Sequence, residues 1–85
     1  MIKIYDAVCV YDKTLRFSWK LSGDCGQKNY QIRLYDEDNI CVWDSGICES
    51  VNRHDIFCTA ELEPETAYHW EVSCEGTDGS KDRAE

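Results

Sequence analysis

Apolar and polar residues alternate with a period of two along most of this chain, and no window of a dozen residues carries the 3.6-residue period of an amphipathic helix. Such a chain folds as antiparallel strands, each with one face on a core and the other in water. The clearest case is residues 15–21. Leu15, Phe17, Trp19 and Leu21 share one face there, and Arg16, Ser18 and Lys20 share the other. The turn-forming cluster Ser22-Gly23-Asp24-Cys25-Gly26 ends that run.

The same reasoning predicts a strand over residues 29–35, with Tyr30, Ile32 and Leu34 inward. It closes at the acidic turn Asp36-Glu37-Asp38-Asn39, and a hairpin returns through residues 40–43. A weaker pattern spans residues 55–60. The last strong one covers residues 67–75, with Tyr68, Trp70, Val72 and Cys74 alternating against His69, Glu71, Ser73 and Glu75. With residues 2–10 these make six strands. The expected architecture is all-β: two small antiparallel sheets packed face to face around Phe17, Trp19, Tyr30, Ile32, Leu34, Leu62, Tyr68, Trp70 and Val72. A sandwich of this kind has seven strands. Gly76-Thr77-Asp78-Gly79-Ser80 and the five residues after it read as a turn leading into a seventh that is absent or barely begun.

The chain has 85 residues, which leaves room for one core and therefore one domain, residues 1–85. Nine basic against seventeen acidic residues give a net charge of −8 without a basic patch, which disfavours phosphate backbones and anionic lipid as partners. The apolar runs at residues 7–11 and 40–43 are far below the roughly 18 residues that cross a bilayer. Residues 1–11 lack the regions of a secretory signal, so the expectation is a cytoplasmic protein if Met1 is the native start, with secretion as the alternative.

Six cysteines in a short chain often mean a disulfide framework. Here Cys9, Cys25, Cys41, Cys48, Cys58 and Cys74 are spaced by 16, 16, 7, 10 and 16 residues, with no CxxC pair. Cys58 and Cys74 fall at strand positions where a small apolar residue fits, so free thiols are expected.

No catalytic, cofactor or metal residue is assigned. Glycoside hydrolysis needs two carboxylates about 5 to 9.5 Å apart in a cleft, whereas the acids here fall mainly in turns and on outward strand faces. Asp36, Asp38 and Asn39 resemble the start of a calcium loop, but Cys41 and Ile47 stand where the loop needs glycine and glutamate. His54 and His69 lack a paired His or Cys spacing for zinc. Asp44-Ser45-Gly46 has no histidine base placed by sequence, and is expected to be a structural turn in which Asp44 and Ser45 bond local amides and Gly46 takes a positive φ. Trp19 and Trp70 read as core. Trp43 shares a face with Cys41, opposite Ile40 and Val42, so one of these pairs must look outward. That makes Trp43 the candidate contact residue.

Leu62-Glu63-Pro64-Glu65-Thr66-Ala67-Tyr68-His69-Trp70-Glu71-Val72 resembles the fibronectin type III signature, which implies an immunoglobulin-like sandwich and a corner role for Tyr68. Three further pieces narrow the resemblance. They are Phe17-Ser18-Trp19-Lys20-Leu21, Gln27-Lys28-Asn29-Tyr30-Gln31-Ile32, and Val42-Trp43-Asp44-Ser45-Gly46 followed by Glu49-Ser50. With Asp78-Gly79 after them, they are similar to the N-terminal domain of bacterial α-L-rhamnosidases of glycoside hydrolase family 78. The opening Met-Ile-Lys-Ile-Tyr is similar to the start of a cytoplasmic member. The chain departs from that pattern in lacking a proline-containing insert between its first two strands.

The catalytic part of that family is a separate helical barrel. The resemblance therefore implies a non-catalytic accessory module whose partners are the remaining domains of its polypeptide, with a homodimer through an unpaired edge strand as a further partner. An extracellular protein-binding module with disulfides and a carbohydrate-binding module using Trp43 are the alternatives.

Overall fold

The computed structural model describes residues 1–11, 14–62 and 66–85. Its seven strands are β1 (Ile2–Tyr11), β2 (Leu15–Gly23), β3 (Gln27–Tyr35), β4 (Cys41–Asp44), β5 (Ile56–Phe57), β6 (His69–Gly76) and β7 (Lys81–Ala84). They form two antiparallel sheets, ordered β1-β2-β5 and β4-β3-β6-β7. This is an immunoglobulin-like sandwich with no helix among the described residues. The Glu63-Pro64-Glu65 part of the signature lies outside those residues, and so does the upstream backbone of the corner expected around Tyr68.

The seventh strand, expected to be absent or barely begun, is present. Lys81, Asp82, Arg83 and Ala84 pair with Glu75, Cys74, Ser73 and Val72. Its alternation escapes notice because an acid occupies an inner position. Asp82 sits at the corner between the sheets, where its carboxylate accepts the amide of Ile4 at 2.8 Å. The weak pattern over residues 55–60 condenses to two paired residues, with Cys58 adding one amide bond to the Leu15 carbonyl.

Inner faces follow the alternation. Phe17 and Trp19 from β2 meet Ile32, Leu34 and Val72 from the other sheet, and all five side chains are fully buried. Phe17 lies between two indoles, with ring centres 5.9 Å from Trp43 and 4.7 Å from Trp70. Leu62, Tyr68 and Trp70, expected in the core, are half-buried and pack against its margin. Ile2, Ile4, Ile56, Cys58 and Cys74 complete it.

One buried polar side chain organises this interior. Gln27, at the start of β3, is 3% exposed. Its Oε1 accepts the Trp19 indole N–H at 3.1 Å and lies 3.4 Å from the Cys74 thiol. Its Nε2 donates to the carbonyls of Ser50 and Asn52 at 2.8 and 3.1 Å. The amide thus satisfies the buried indole and fastens the long loop between β4 and β5 to the core.

The first residue is fastened as well. The α-ammonium of Met1 lies 2.5 Å from Asp24 in the β2–β3 turn and 2.7 Å from Asp78 in the β6–β7 turn. These two bonds raise the amine's pKa to about 10, and the amine holds the Asp24 and Asp78 carboxyls below their ordinary range. Gly76 permits this close approach, because a Cβ there would lie 2.8 Å from Ile2 Cγ2 and 2.9 Å from Cys25 Sγ.

Gln27→Leu is expected to lower stability by about 2–3 kcal/mol in urea titration, because it strands a buried indole N–H and two loop carbonyls. The ammonium clamp makes stability pH-dependent. The amine's contribution is present below its unfolded value near 8 and is lost as pH rises through about 10. The contribution of Asp24 and Asp78 is present above the ordinary carboxylate pKa and is lost as pH falls below it. In Tm against pH, acetylating the α-amine is expected to remove the part of the alkaline decline that begins near pH 8 and to leave the part that the buried Cys58 and Cys74 thiols cause above pH 9.

Candidate functional site

The residues expected to carry contacts or turns gather at β4 and the loop after it. Leu34 pairs with Trp43, which turns Trp43 toward the interior and leaves Ile40 and Val42 exposed. The Trp43 indole is half-buried, stacks within 14° of parallel on Phe17, and donates its N–H to Thr59 Oγ1 at 3.0 Å. It serves the contact between the sheets, with one face covered by Phe17.

Asp44, Ser45 and Gly46 form a braced turn. Asp44 Oδ1 accepts the Gly46 amide at 2.8 Å and the Gln31 side-chain amide at 2.9 Å, while its Oδ2 accepts Arg33 Nε at 3.2 Å. These donors, Gln31 foremost, hold the Asp44 carboxyl below its usual range. Ser45 Oγ accepts the Ile32 amide and donates to the Gly46 carbonyl, both at 2.8 Å, and Gly46 has φ +69°. Both bonds of the Ser45 hydroxyl are to backbone, so no base stands on it to activate it.

Asp36 accepts the amides of Asp38 and Ile40 within its own turn, with Asn39 in the left-handed region. His69 stacks on Tyr35 at 5.1 Å on the outer face of the four-stranded sheet, whereas His54 is exposed on the loop before β5. Among the described residues one group of metal-ligand type occurs, formed by Asp24, Cys25 and Asp78. The position a cation would take between its carboxylates is held by the Met1 ammonium.

The two outer faces of the sandwich differ in chemistry. On the four-stranded sheet the cross-strand row Asp44, Arg33, Glu71 is a charged ladder. Arg33 lies 3.9 Å from Glu71, Arg83 approaches Glu71 at 3.7 Å, and the Tyr35 hydroxyl donates to Glu71 at 3.0 Å. On the three-stranded sheet the register sets Val10 beside Arg16 and Arg16 beside Phe57, with Val8 beside Ser18 and Tyr5 beside Lys20. Tyr5, Val8, Val10 and Phe57 are 46, 52, 51 and 57% exposed. Solvent-facing strand positions are normally polar, so an apolar face with basic residues between its members sets this sheet apart from the other. Sequence reasoning passed over it because alternation assigns Val8 and Val10 to a strand without saying which face the second sheet covers.

The cysteines divide by burial. Cys9 and Cys41 are exposed, Cys25 and Cys48 intermediate, and Cys58 and Cys74 buried. Burial pushes the Cys58 thiol up and the Cys74 thiol to about 11. With a thiol reagent in dilute solution, Cys9 and Cys41 are expected to react first, and Cys58 and Cys74 only on unfolding. Six thiols are expected in denaturant without reductant.

Over residues 3–85 the sequence matches the family model of the Rha78A-like N-terminal immunoglobulin domain. No curated protein and no solved structure matches it. The match takes in the seven described strands apart from Ile2 at the start of β1, and the chain belongs to the family of Rha78A-like N-terminal immunoglobulin domains.

Proposed function

We propose that the chain is a non-catalytic accessory module of a bacterial α-L-rhamnosidase of glycoside hydrolase family 78, and that it packs against the remainder of that polypeptide. The observation that carries this reading is the contrast between the outer faces. The charged ladder from Asp44 to Arg83 suits water, whereas Tyr5, Val8, Val10 and Phe57 suit a covered surface. Family membership as an N-terminal domain supplies the occupant, namely the domains that follow in the same chain. Two of the interleaved cations are already balanced within the chain, Arg16 by Asp55 at 3.8 Å and Lys20 by Asp6 at 3.5 Å, so the apolar residues carry the docking.

The placement of β4 beside β3 rather than beside β5 supports the fibronectin type III variant of the sandwich. Cys58 and Cys74, built into the core as thiols, support a reducing, cytoplasmic setting. The role we assign is mechanical and steric: the module holds its neighbour's surface in place and takes no part in bond cleavage.

The isolated chain is expected to release no product from an aryl α-L-rhamnoside above the buffer blank. Phe57→Asp is expected to leave the isolated module's Tm nearly unchanged, because the ring is already in water. In the complete hydrolase the same change is expected to lower Tm by several degrees. Turnover by the isolated chain, or a complete hydrolase indifferent to Phe57→Asp, overturns the reading.

A further inference from the structure

A sheet edge presents free amides and carbonyls to any strand that can align with it, and proteins blunt their edges by shortness, charge or covering groups. Four strands here are edges. β5 is two residues long, β4 is four and ends on Asp44, and β7 carries Lys81, Asp82 and Arg83. The first half of β1 is covered, since the amides of Ile2 and Ile4 donate to Ser80 Oγ at 3.0 Å and to Asp82 Oδ2 at 2.8 Å.

The second half of β1 has none of these protections. A register shift between Tyr5 and Val8, with Asp6 at φ +49°, separates it from the covered half. Beyond that bulge, Ala7, Val8, Cys9, Val10 and Tyr11 carry no charge, and the last four are exposed. In a chain with 31% charged residues this is the unguarded edge among the described strands.

We propose that residues 7–11 of β1 are the seam of a two-fold symmetric dimer, in which they pair antiparallel with the same residues of a second copy. A second copy fits because the uncharged run meets itself without like charges along the seam, and because Asp6 at its end is paired with Lys20 at 3.5 Å. Symmetry fixes the register. A two-fold axis normal to the sheet keeps inner residues opposite inner residues, so the pairing must centre on a residue. Centring on Cys9 superposes the whole run on itself: Val8 meets Val10 of the second copy and Ala7 meets Tyr11 of the second copy.

The three-stranded sheets then join into one of six strands, ordered β5-β2-β1-β1-β2-β5. The Cys9 residues of the two copies face each other with Cα atoms about 4.5–5.5 Å apart, within the range a disulfide spans. Net charge works against the contact, since each copy carries −8. Salt therefore tightens the dimer by screening. The inference does not depend on which enzyme carries the module.

Sedimentation equilibrium of the 85-residue chain, at rising concentration and in low and high salt, tests the proposal. The expected result is a monomer–dimer equilibrium strengthened by salt. Val10→Lys and Val8→Lys, two exposed positions that keep a folded circular dichroism spectrum, each raise the dissociation constant about tenfold or more, because each puts a charge in the seam. Val42→Lys, on β4, leaves it unchanged. Diamide, which takes up the two hydrogens released as two thiols become one disulfide, is expected to cross-link the dimer. Cys9→Ser abolishes the cross-link and Cys41→Ser does not. Monomer under all conditions, a dimer indifferent to Val8→Lys and Val10→Lys, or a cross-link that needs Cys41 overturns the proposal.

Discussion

Burying an amide inside a sandwich this small is costly unless all its hydrogen-bonding groups find partners, and Gln27 finds them on three sides. Its oxygen satisfies the largest side chain of the core, the Trp19 indole, and its nitrogen holds down the connection between β4 and β5. The Trp19 amide also reaches that connection, donating to the Arg53 carbonyl at 2.9 Å. β5 has two residues of pairing, so the three-stranded sheet closes largely because this loop is held. Without the amide, the core and the loop lose their connection together.

Around that centre the chemistry is divided between the faces. Cross-strand neighbours on the four-stranded sheet alternate in sign, so Glu71 is shared by Arg33, Arg83 and Tyr35 while remaining near water. Exposed ion pairs of this kind add little stability one by one, but they keep the middle of that face solvated, with exposed Ile40 and Val42 confined to its β4 edge. The opposite face spends its positions on valine, tyrosine and phenylalanine. A domain that folds alone gains nothing from such residues in water, and their place on one sheet makes the two outer faces of the molecule unlike in chemistry.

The strands with strict alternation and buried inner residues, β2, β3 and β6, were legible in the sequence because period two and hydrophobicity coincide there. β7 was not, because its inner position holds Asp82, whose carboxylate is satisfied by an amide of the other sheet. Gln27 has no such signature, since nothing local reveals that an indole eight residues earlier points at it. Leu62, Tyr68 and Trp70, which the sequence assigns to the core, pack against it while staying partly open to water. For β4 the alternation named two possible faces, and only the pairing of Leu34 with Trp43 decides between them. The turn at Asp44-Ser45-Gly46 was legible in kind, because short polar side chains followed by glycine have few other uses.

The bonds from Ile2 and Ile4 to Ser80 and Asp82 have a mechanical side. They join β1 to β7 with both strands running the same way, so the beginning of one terminal strand and the end of the other leave the sandwich in opposite directions. Tension applied through the two ends loads these bonds in shear, all at once, and does not peel them apart in sequence. Resistance to such a load is set by how fast these bonds break, and not by the equilibrium stability of the fold.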